Sequence, residues 1–208
     1  MGPGLRATAV RSLELRGRRI RLATLVESDY EAWFAVRSRC RDWLIPWEPR
    51  SNGAPTAAED HASFTARCGI RERERQMGTG FGFGIFLESR FVGEITLSSI
   101  QRGPFQNGSI GYWIDEEMAG SGLTPEAVVV VLQFAFETLR LHRIEVAIIP
   151  RNAASRRVAD KLRLRNEGTA LGFLEINGQW EDHVRYAMTS EEWAVRGPEL
   201  RAAWLDGA

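Results

Sequence analysis

The stretch that decides the fold is Gly120-Ser121-Gly122-Leu123-Thr124-Pro125-Glu126. Its small residues allow a tight turn that brings backbone N–H groups close to a ligand. Thr124 is a helix N-cap residue, and Pro125 and Glu126 are typical of a first helical turn, so a long apolar helix is predicted to about Leu141. The N-terminus of a helix offers free N–H donors and partial positive charge, which suits a phosphate. A Gly-x-Gly turn alone is explained equally well by a structural role.

Two other phosphate-binding motifs do not fit this stretch. A dinucleotide-binding fold places a third glycine at the position of Pro125. A P-loop needs Gly-Lys-Ser or Gly-Lys-Thr, and the single lysine of the chain, Lys161, lies elsewhere. Because Asp115, Glu116 and Glu117 precede the turn, a phosphate bound there is expected to depend on backbone dipoles rather than on arginine side chains.

A second polar signal follows the next predicted strand. The β-branched run at residues 143–149 predicts a strand that Pro150 stops, and Asn152 is placed to cap a helix that continues through Leu162. Ser155 falls one turn inside this helix. Taken alone, Asn152 would serve only the helix end and Ser155 would be incidental.

The rest of the chain predicts a mixed α/β sheet. Apolar alternation and turn residues predict strands at residues 20–25, 81–87, 91–98, 109–114, 166–176 and 180–188. Helices are predicted at residues 30–39, from a Thr56 cap to about residue 75, and from a Ser190 cap. Asn177-Gly178 is the strongest hairpin signal. This order predicts one domain over residues 1–208, with a flexible tail at 1–10 and a helical tail at 190–208.

Composition excludes several classes of protein. The net charge is zero and hydrophobic residues make up 44% of the chain, which argues against disorder and against bulk electrostatic binding of nucleic acid. Two cysteines and three scattered histidines predict neither a disulfide framework nor a metal site. The longest apolar run, residues 127–136, is too short to cross a membrane. With no apolar signal segment, we expect a cytoplasmic location.

In combination the two polar signals are more specific. A Gly-x-Gly turn between a strand and a long helix, followed by a strand and Asn-x-x-Ser on a shorter helix, resembles the GCN5-related N-acetyltransferases (GNAT). Within them the chain is similar to the RimJ/RimL group of ribosomal-protein N-terminal acetyltransferases. The segments that carry the resemblance are Pro46-Trp47-Glu48-Pro49, residues 110–113, residues 120–127, His142-Arg143, residues 152–156, residues 177–180 and Asp182-His183.

The resemblance implies the GNAT fold, a mostly antiparallel sheet that splays between the strand ending at Ile114 and the strand beginning near Arg143, with acetyl-CoA in the cleft. Ile114 would lend its backbone to the pantetheine arm, and Asn152 would contact the same arm. In the family's pyrophosphate pattern, Ala119 stands where a polar residue is usual, while the essential Gly122 is present. The implied pyrophosphate residues are Ala119, Gly120, Ser121, Gly122, Leu123 and Thr124. Arg156, Arg157 or Lys161 is expected to meet a cofactor phosphate.

The resemblance also implies direct attack of an amine on the thioester, so Cys40 and Cys68 are expected to be structural. Ser155 is the candidate donor to the departing thiolate. The candidate bases are Glu175 and Glu94. Glu145 is a third acid in a predicted strand, and each of the three acids is also explained as an ordinary cross-strand pairing residue.

Trp47 and Glu48 are the candidate acceptor-binding residues, Trp47 as a wall and Glu48 as a partner for a terminal ammonium. Anchoring in the core explains Trp47 equally well. The function this implies is acetylation of the α-amino group of a protein or peptide, such as a ribosomal protein, without direct nucleic-acid or membrane contact. A homo-oligomer is compatible with the sequence. The alternatives are acetylation of a small-molecule amine and a non-catalytic acyl-CoA-binding or ribosome-assembly module. If the glycines form only a turn, no coenzyme A would bind.

Overall fold

A computed structural model of the protein describes residues 13–49 and 60–206. Eight strands form one sheet in the order β1-β2-β3-β4-β5-β6-β8-β7. The strands are β1 (Glu14–Arg16), β2 (Ile20–Ala23), β3 (Phe81–Leu87), β4 (Arg90–Gln101), β5 (Asn107–Ile114), β6 (Arg143–Ile148), β7 (Arg165–Ile176) and β8 (Gln179–Thr189).

Six α-helices flank this sheet in the described part of the chain. They are α1 (Tyr30–Arg39), α2 (Arg41–Leu44), α3 (His61–Met77), α4 (Leu123–Gln133), α5 (Ala153–Lys161) and α6 (Ser190–Trp204). A π-helical turn, Phe134–Thr138, extends α4. The predicted α/β class and the mostly antiparallel, helix-flanked sheet are confirmed.

The sheet changes character between β5 and β6. All other neighbouring strands are antiparallel, whereas β5 and β6 are parallel and pair only through Asn107–Arg143, Gly108–Ile144 and Ser109–Glu145. Beyond these pairs, β5 continues to residue 114 and β6 to residue 148 without pairing to each other. The predicted splay is therefore present, and its two strands leave backbone groups facing a gap.

Residue alternation decides which face of the sheet each helix covers. On β6, Ile144, Val146 and Ile148 are buried, while Arg143 and the residues alternating with it are half-exposed. The buried face packs against α4, α5 and α6 in the larger hydrophobic cluster. Every residue from Leu123 to residue 132 is buried, so α4 lies inside the molecule on all sides. A smaller cluster joins α1 and α3 to the opposite face of the sheet.

Several predicted boundaries are wrong by a few residues. The N-cap of α4 is Gly122 rather than Thr124, and regular α-helix ends at residue 133 before the π-helical turn. Thr189 rather than Ser190 caps α6. The N-cap of α3 is Asp60, whose side chain accepts from Ser63 N at 2.7 Å, whereas the predicted cap at residue 56 lies outside the described residues. The predicted tail at residues 1–10 lies outside them as well.

The Asn177-Gly178 hairpin is confirmed. Both residues have positive φ, 48° and 82°, as a two-residue hairpin turn requires, and they join β7 to β8. Among the described residues, no helix combines the length and the apolar character needed to cross a membrane. The same residues contain no group of three or more histidine, cysteine, aspartate or glutamate side chains placed to hold a metal ion.

Candidate active site

The turn before α4 has the geometry of an anion cradle. Gly120 and Gly122 have φ values of 80° and 84°, in the left-handed region that favours glycine. A short 3-10 turn, Glu116–Met118, leads into it, and Ser121 N donates to the Met118 carbonyl at 3.3 Å. Within the described chain, the N–H groups of Gly120, Gly122 and Leu123 have no hydrogen-bond partner. These unpaired donors at a helix N-terminus fit the pyrophosphate of coenzyme A.

An ion pair between Glu126 and Arg19, which the sequence did not predict, supports this turn. Glu126 is fully buried, and its carboxylate accepts from the main-chain N–H of Arg19 at 2.6 Å and from Arg19 Nε at 2.8 Å. Arg19 Nη1 also donates to the carbonyl of Ser121 at 3.0 Å. An arginine therefore does contact this turn. Arg19 is hydrogen-bonded to Glu126 and Ser121, however, so it supports the turn rather than a phosphate.

The start of the same turn is held by a second set of polar contacts. Asp115 is fully buried and accepts from Arg39 at 2.5 Å and from Arg90 at 3.0 Å. The thiol of Cys40 donates to Asp115 Oδ1 at 3.4 Å, and Sγ accepts from Glu116 N at the same distance. Burial raises the pKa of the Cys40 thiol, as does its contact with Asp115. A neutral, enclosed thiol suits the predicted structural use of Cys40.

At the other side of the gap, α5 presents the Asn-x-x-Ser pattern as predicted. The Asn152 side chain accepts from Ser155 N at 3.1 Å and caps the helix. The Tyr112 hydroxyl, on β5, donates to the Ser155 carbonyl at 3.3 Å. Tyr112 therefore reaches from one diverging strand to the helix that follows the other, a contact that sequence reasoning missed.

The basic residues of α5 differ in their surroundings. Arg156 Nε donates to the Tyr186 hydroxyl at 3.3 Å, and Arg156 Nη1 donates to the Pro150 carbonyl at 3.3 Å, so Arg156 is turned toward protein groups. Arg157 and Lys161 are exposed. All three stay candidates for a cofactor phosphate, and Arg157 and Lys161 have the more exposed side chains.

Trp47 and Glu48 lie in a segment that crosses to the β7–β8 hairpin. The Glu48 carbonyl accepts from Asn177 N at 3.2 Å, and residue 49 forms an isolated bridge with residue 176. The guanidinium of Arg151 lies 5.3 Å from the centre of a Trp47 ring. The Glu48 carboxylate forms an ion pair with Arg37. Trp47 thus lies beside Arg151 near the β7–β8 hairpin, and its predicted role as a wall for the acceptor stays a prediction. Glu48 already has a cationic partner.

The structure argues against Glu94 as a base. Glu94 is 2% exposed and accepts from Trp33 Nε1 at 2.6 Å, from Arg67 at 3.2 Å and from Arg71. Burial raises the pKa of its carboxyl, but the charges of Arg71 and Arg67 and the Trp33 hydrogen bond outweigh burial and hold the pKa below its usual range. A carboxylate so fully engaged, under α1 and α3, is a poor proton acceptor.

The two other acids differ from Glu94. Glu145 lies at the last β5–β6 pair and accepts from Arg143 Nε at 3.1 Å and from Arg185. Glu175 is half-buried near the end of β7, opposite Trp180, next to the segment that carries Trp47. Of the predicted bases, Glu175 is the one that the fold brings beside the proposed acceptor wall.

Comparison with known proteins agrees with this geometry. Residues 19–165 match the acetyltransferase (GNAT) domain family. The chain is 35% identical over 181 residues to a probable N-acetyltransferase, YjcK, of Bacillus subtilis, covering 86% of this chain and 98% of the relative. It is 32% identical over 180 residues to the [ribosomal protein uS5]-alanine N-acetyltransferase of Escherichia coli, covering 83% and 90%.

Solved structures give the same picture. Mycobacterium smegmatis RimJ in complex with CoA-disulfide superposes with a TM-score of 0.83 at 29% identity, covering 92% of this chain and 93% of that one. The ribosomal-protein-S5-alanine acetyltransferase of Vibrio fischeri superposes with a TM-score of 0.77 at 30% identity, covering 87% and 98%.

Proposed function

The chain belongs to the GNAT acetyltransferases, enzymes that use acetyl-CoA, and from this premise we propose that its acceptor is the α-amino group of a protein or peptide. The observation that carries the acetyl transfer itself is the meeting of three elements at one cleft. These are the diverging ends of β5 and β6, the left-handed glycine turn before α4, and the Asn152 cap of α5. Acetyl-CoA supplies an activated acetyl thioester, so no protein nucleophile is needed.

Binding of the cofactor falls mainly to the backbone. The N–H groups of Gly120, Gly122 and Leu123 are free to meet pyrophosphate oxygens, and the unpaired edge at Ile114 is free to meet the amide groups of pantetheine. A side chain at position 119 is not needed for such contacts, so Ala119 is compatible with binding. Exposed Arg157 and Lys161 would add charge attraction.

The side chains at the cleft would carry the proton transfers. We assign Ser155 as the hydrogen-bond donor to the leaving sulfur, because Asn152 holds its backbone N–H and leaves the hydroxyl free to turn. Glu175 is proposed to accept a proton from the amine through water. A chain-terminal amine with a pKa near ~8 needs less help from a base than a lysine near ~10.4.

The acceptor class rests on two supports. Trp47 and the β7–β8 hairpin form a wall beside the cleft, suited to an extended peptide end. The relatives from Escherichia coli and Vibrio fischeri carry names that specify an alanine of a ribosomal protein. We therefore propose a ribosomal-protein N-terminus as acceptor and the cytoplasm as location.

The test is an acceptor screen. The protein is incubated with acetyl-CoA and peptides that begin with alanine or serine, and products are read by mass spectrometry for a gain of one acetyl group at the α-amino nitrogen. Small-molecule amines are included in the same panel. Turnover of small amines alone would replace the proposed acceptor class, and acetyl-CoA binding by calorimetry without any turnover would favour a non-catalytic binding module.

A further inference from the structure

A buried histidine lies on the acceptor side of the sheet and has no role in the scheme above. His183 is 3% exposed. On β8, Val184 pairs with Ile148, the last residue of β6, and Arg185 pairs with Ala147. Since Val184 and Ile148 belong to the cluster under α4 and α5, His183 and Arg185 point to the opposite face. His183 therefore lies just beyond the paired end of β6, on the face that the helices α4 and α5 do not cover.

The tautomer of His183 is fixed by its neighbour. The ring nitrogen Nδ1 lies 3.0 Å from the Glu181 carbonyl oxygen. Because a carbonyl can only accept a hydrogen bond, Nδ1 carries the proton, and Nε2 has a free lone pair when the ring is neutral. This arrangement, a backbone acceptor behind one nitrogen, is how a histidine base is oriented.

The second ring nitrogen is not engaged by the protein. Within the described residues, Nε2 of His183 has no hydrogen-bond partner. The residue as a whole keeps 3% of its surface exposed, so an amine must reach Nε2 through a narrow opening.

The surroundings connect His183 to the acceptor wall. Arg151 forms an ion pair with Glu181 at 2.7 Å and lies against Trp47, so the residue that orients His183 is also tied to that wall. Phe173 packs edge-on against the His183 ring, with 5.5 Å between ring centres. Among the described residues, charged groups on this face include Arg151 with Glu181, and Arg185, which pairs with Glu145 and lies 4.6 Å from the Phe173 ring centre. Arg143 and Glu167 continue the row beyond Glu145.

We propose that His183 Nε2 is the general base that removes a proton from the attacking amine, ahead of Glu175. The inference deepens the proposed acetyl transfer and rests on it. In the step, the amine nitrogen bonds to the acetyl carbon and the carbon–sulfur bond breaks. The proton from nitrogen goes to His183 Nε2, and the leaving thiolate is stabilised by a hydrogen bond from the Ser155 hydroxyl. Solvent then protonates the thiolate and takes the proton from His183, so the enzyme returns to its starting state.

The test compares His183→Asn with His142→Asn. An asparagine amide nitrogen replaces Nδ1 and keeps a donor toward the Glu181 carbonyl, but nothing replaces Nε2. We expect kcat on an alanine-initiated peptide to fall about 100-fold, with acetyl-CoA affinity, measured by calorimetry, unchanged. His142 is exposed and pairs with Glu191, so its variant should match the wild type.

A second acceptor separates a base from a merely structural histidine. An acyl hydrazide, whose reacting nitrogen is neutral at the assay pH, depends less on a base, so the His183→Asn loss should shrink to less than about 10-fold. Equal losses on both acceptors, or no loss on either, would overturn the proposal.

NMR of the wild-type protein tests the assignment without a substitution, so a folding defect cannot affect the result. Nitrogen NMR of the ring should place the proton of neutral His183 on Nδ1, and the Nε2 signal should shift when coenzyme A and an acceptor peptide bind together. A proton on Nε2, or an Nε2 chemical shift that does not change when the acceptor binds, contradicts the assignment. If the wild type acetylates no acceptor at all, it is the proposed function that fails.

Discussion

The buried carboxylate of Glu126 and the guanidinium of Arg19 are joined by a hydrogen bond of 2.8 Å across 107 residues of sequence. This contact fixes the first turn of α4 to the beginning of β2, and Arg19 continues to the carbonyl of Ser121 in the glycine turn. The shape of the phosphate cradle therefore depends on a residue from the opposite end of the fold.

Replacing this carboxylate should weaken both stability and cofactor binding. Glu126→Ala leaves two main-chain N–H groups, those of Arg19 and Ile20, without their acceptor. We expect the free energy of unfolding to fall by about 3 kcal/mol in urea titrations, and acetyl-CoA affinity to fall with it. Glu116→Ala, at an exposed position beside the same turn, should change neither, and equal effects of the two variants would contradict this role.

The left-handed turn should tolerate no side chain at position 122. A Cβ there would lie 3.3 Å from Arg19 Nη2 and 3.4 Å from Trp204, in addition to the cost of φ +84°. We expect Gly122→Ala to weaken acetyl-CoA binding at least about 10-fold by calorimetry, because the N–H groups no longer converge. Gly103→Ala, with φ +70° and open space around it, carries similar backbone strain and should bind acetyl-CoA normally.

Glu94 should prove to be structural. In Glu94→Gln the charges of Arg67 and Arg71 lose their buried partner, so thermal or urea unfolding should show a loss of about 3 kcal/mol. The kcat of the folded fraction should stay within about threefold of wild type. Glu88→Gln, in the exposed turn between β3 and β4, is the stability control. A collapse of kcat in folded Glu94→Gln protein would restore Glu94 as a catalytic residue.

Ser155→Ala should separate chemistry from binding. The Asn152 cap uses the backbone N–H of residue 155, so the helix and the KM for acetyl-CoA should be preserved while kcat falls about 10-fold. Release of free thiol, followed in steady state, measures both constants. Ser89→Ala, at an exposed turn, is the control. An unchanged kcat would remove the hydroxyl from the mechanism.

The contribution of Glu167 to the free energy of unfolding should depend on pH. Its hydrogen bond from Arg143, together with one from Arg165, lowers its pKa to about 2. Since the unfolded carboxyl titrates near ~4.3, the stabilisation is complete above that pH and is lost as the pH falls toward 2. Solvent screening reduces it to about 1 kcal/mol. Glu167→Gln should lose this amount at pH 7 but match wild type near pH 2, as urea midpoints at both pH values would reveal. Glu199→Gln, at an exposed pair, should differ little at either pH.

The sequence predicted what local chemistry controls. The Asn177-Gly178 turn, the Asn152 cap and the glycine turn each follow from residues a few positions apart, and all are present. Contacts between distant residues were out of reach. Nothing in the spacing of Arg19 and Glu126, or of Tyr112 and Ser155, identifies them as partners, because each pair meets only through the packing of the sheet and helices.

The three candidate bases show the same limit of sequence-based prediction. Glu94, Glu145 and Glu175 look alike as polar positions in strands, and alternation alone cannot say which face is covered. The helices α1 and α3 enclose Glu94, whereas Arg185 engages Glu145. The sequence singled out His183 only as part of the resemblance, since a histidine in a strand next to a hairpin gives no hint that a backbone carbonyl will fix its tautomer.

The three-pair junction between β5 and β6 has a consequence for how the molecule assembles. Strands β1 to β5 each pair with the next strand along the chain, and β6, β7 and β8 form a separate antiparallel unit. Neither half contains the cleft, because Ile114 ends β5 in one half and Asn152 follows β6 in the other. One buried cluster, to which α4 belongs, joins the two halves. Loss of the junction would therefore remove the cofactor site even where each half keeps its own strand pairing.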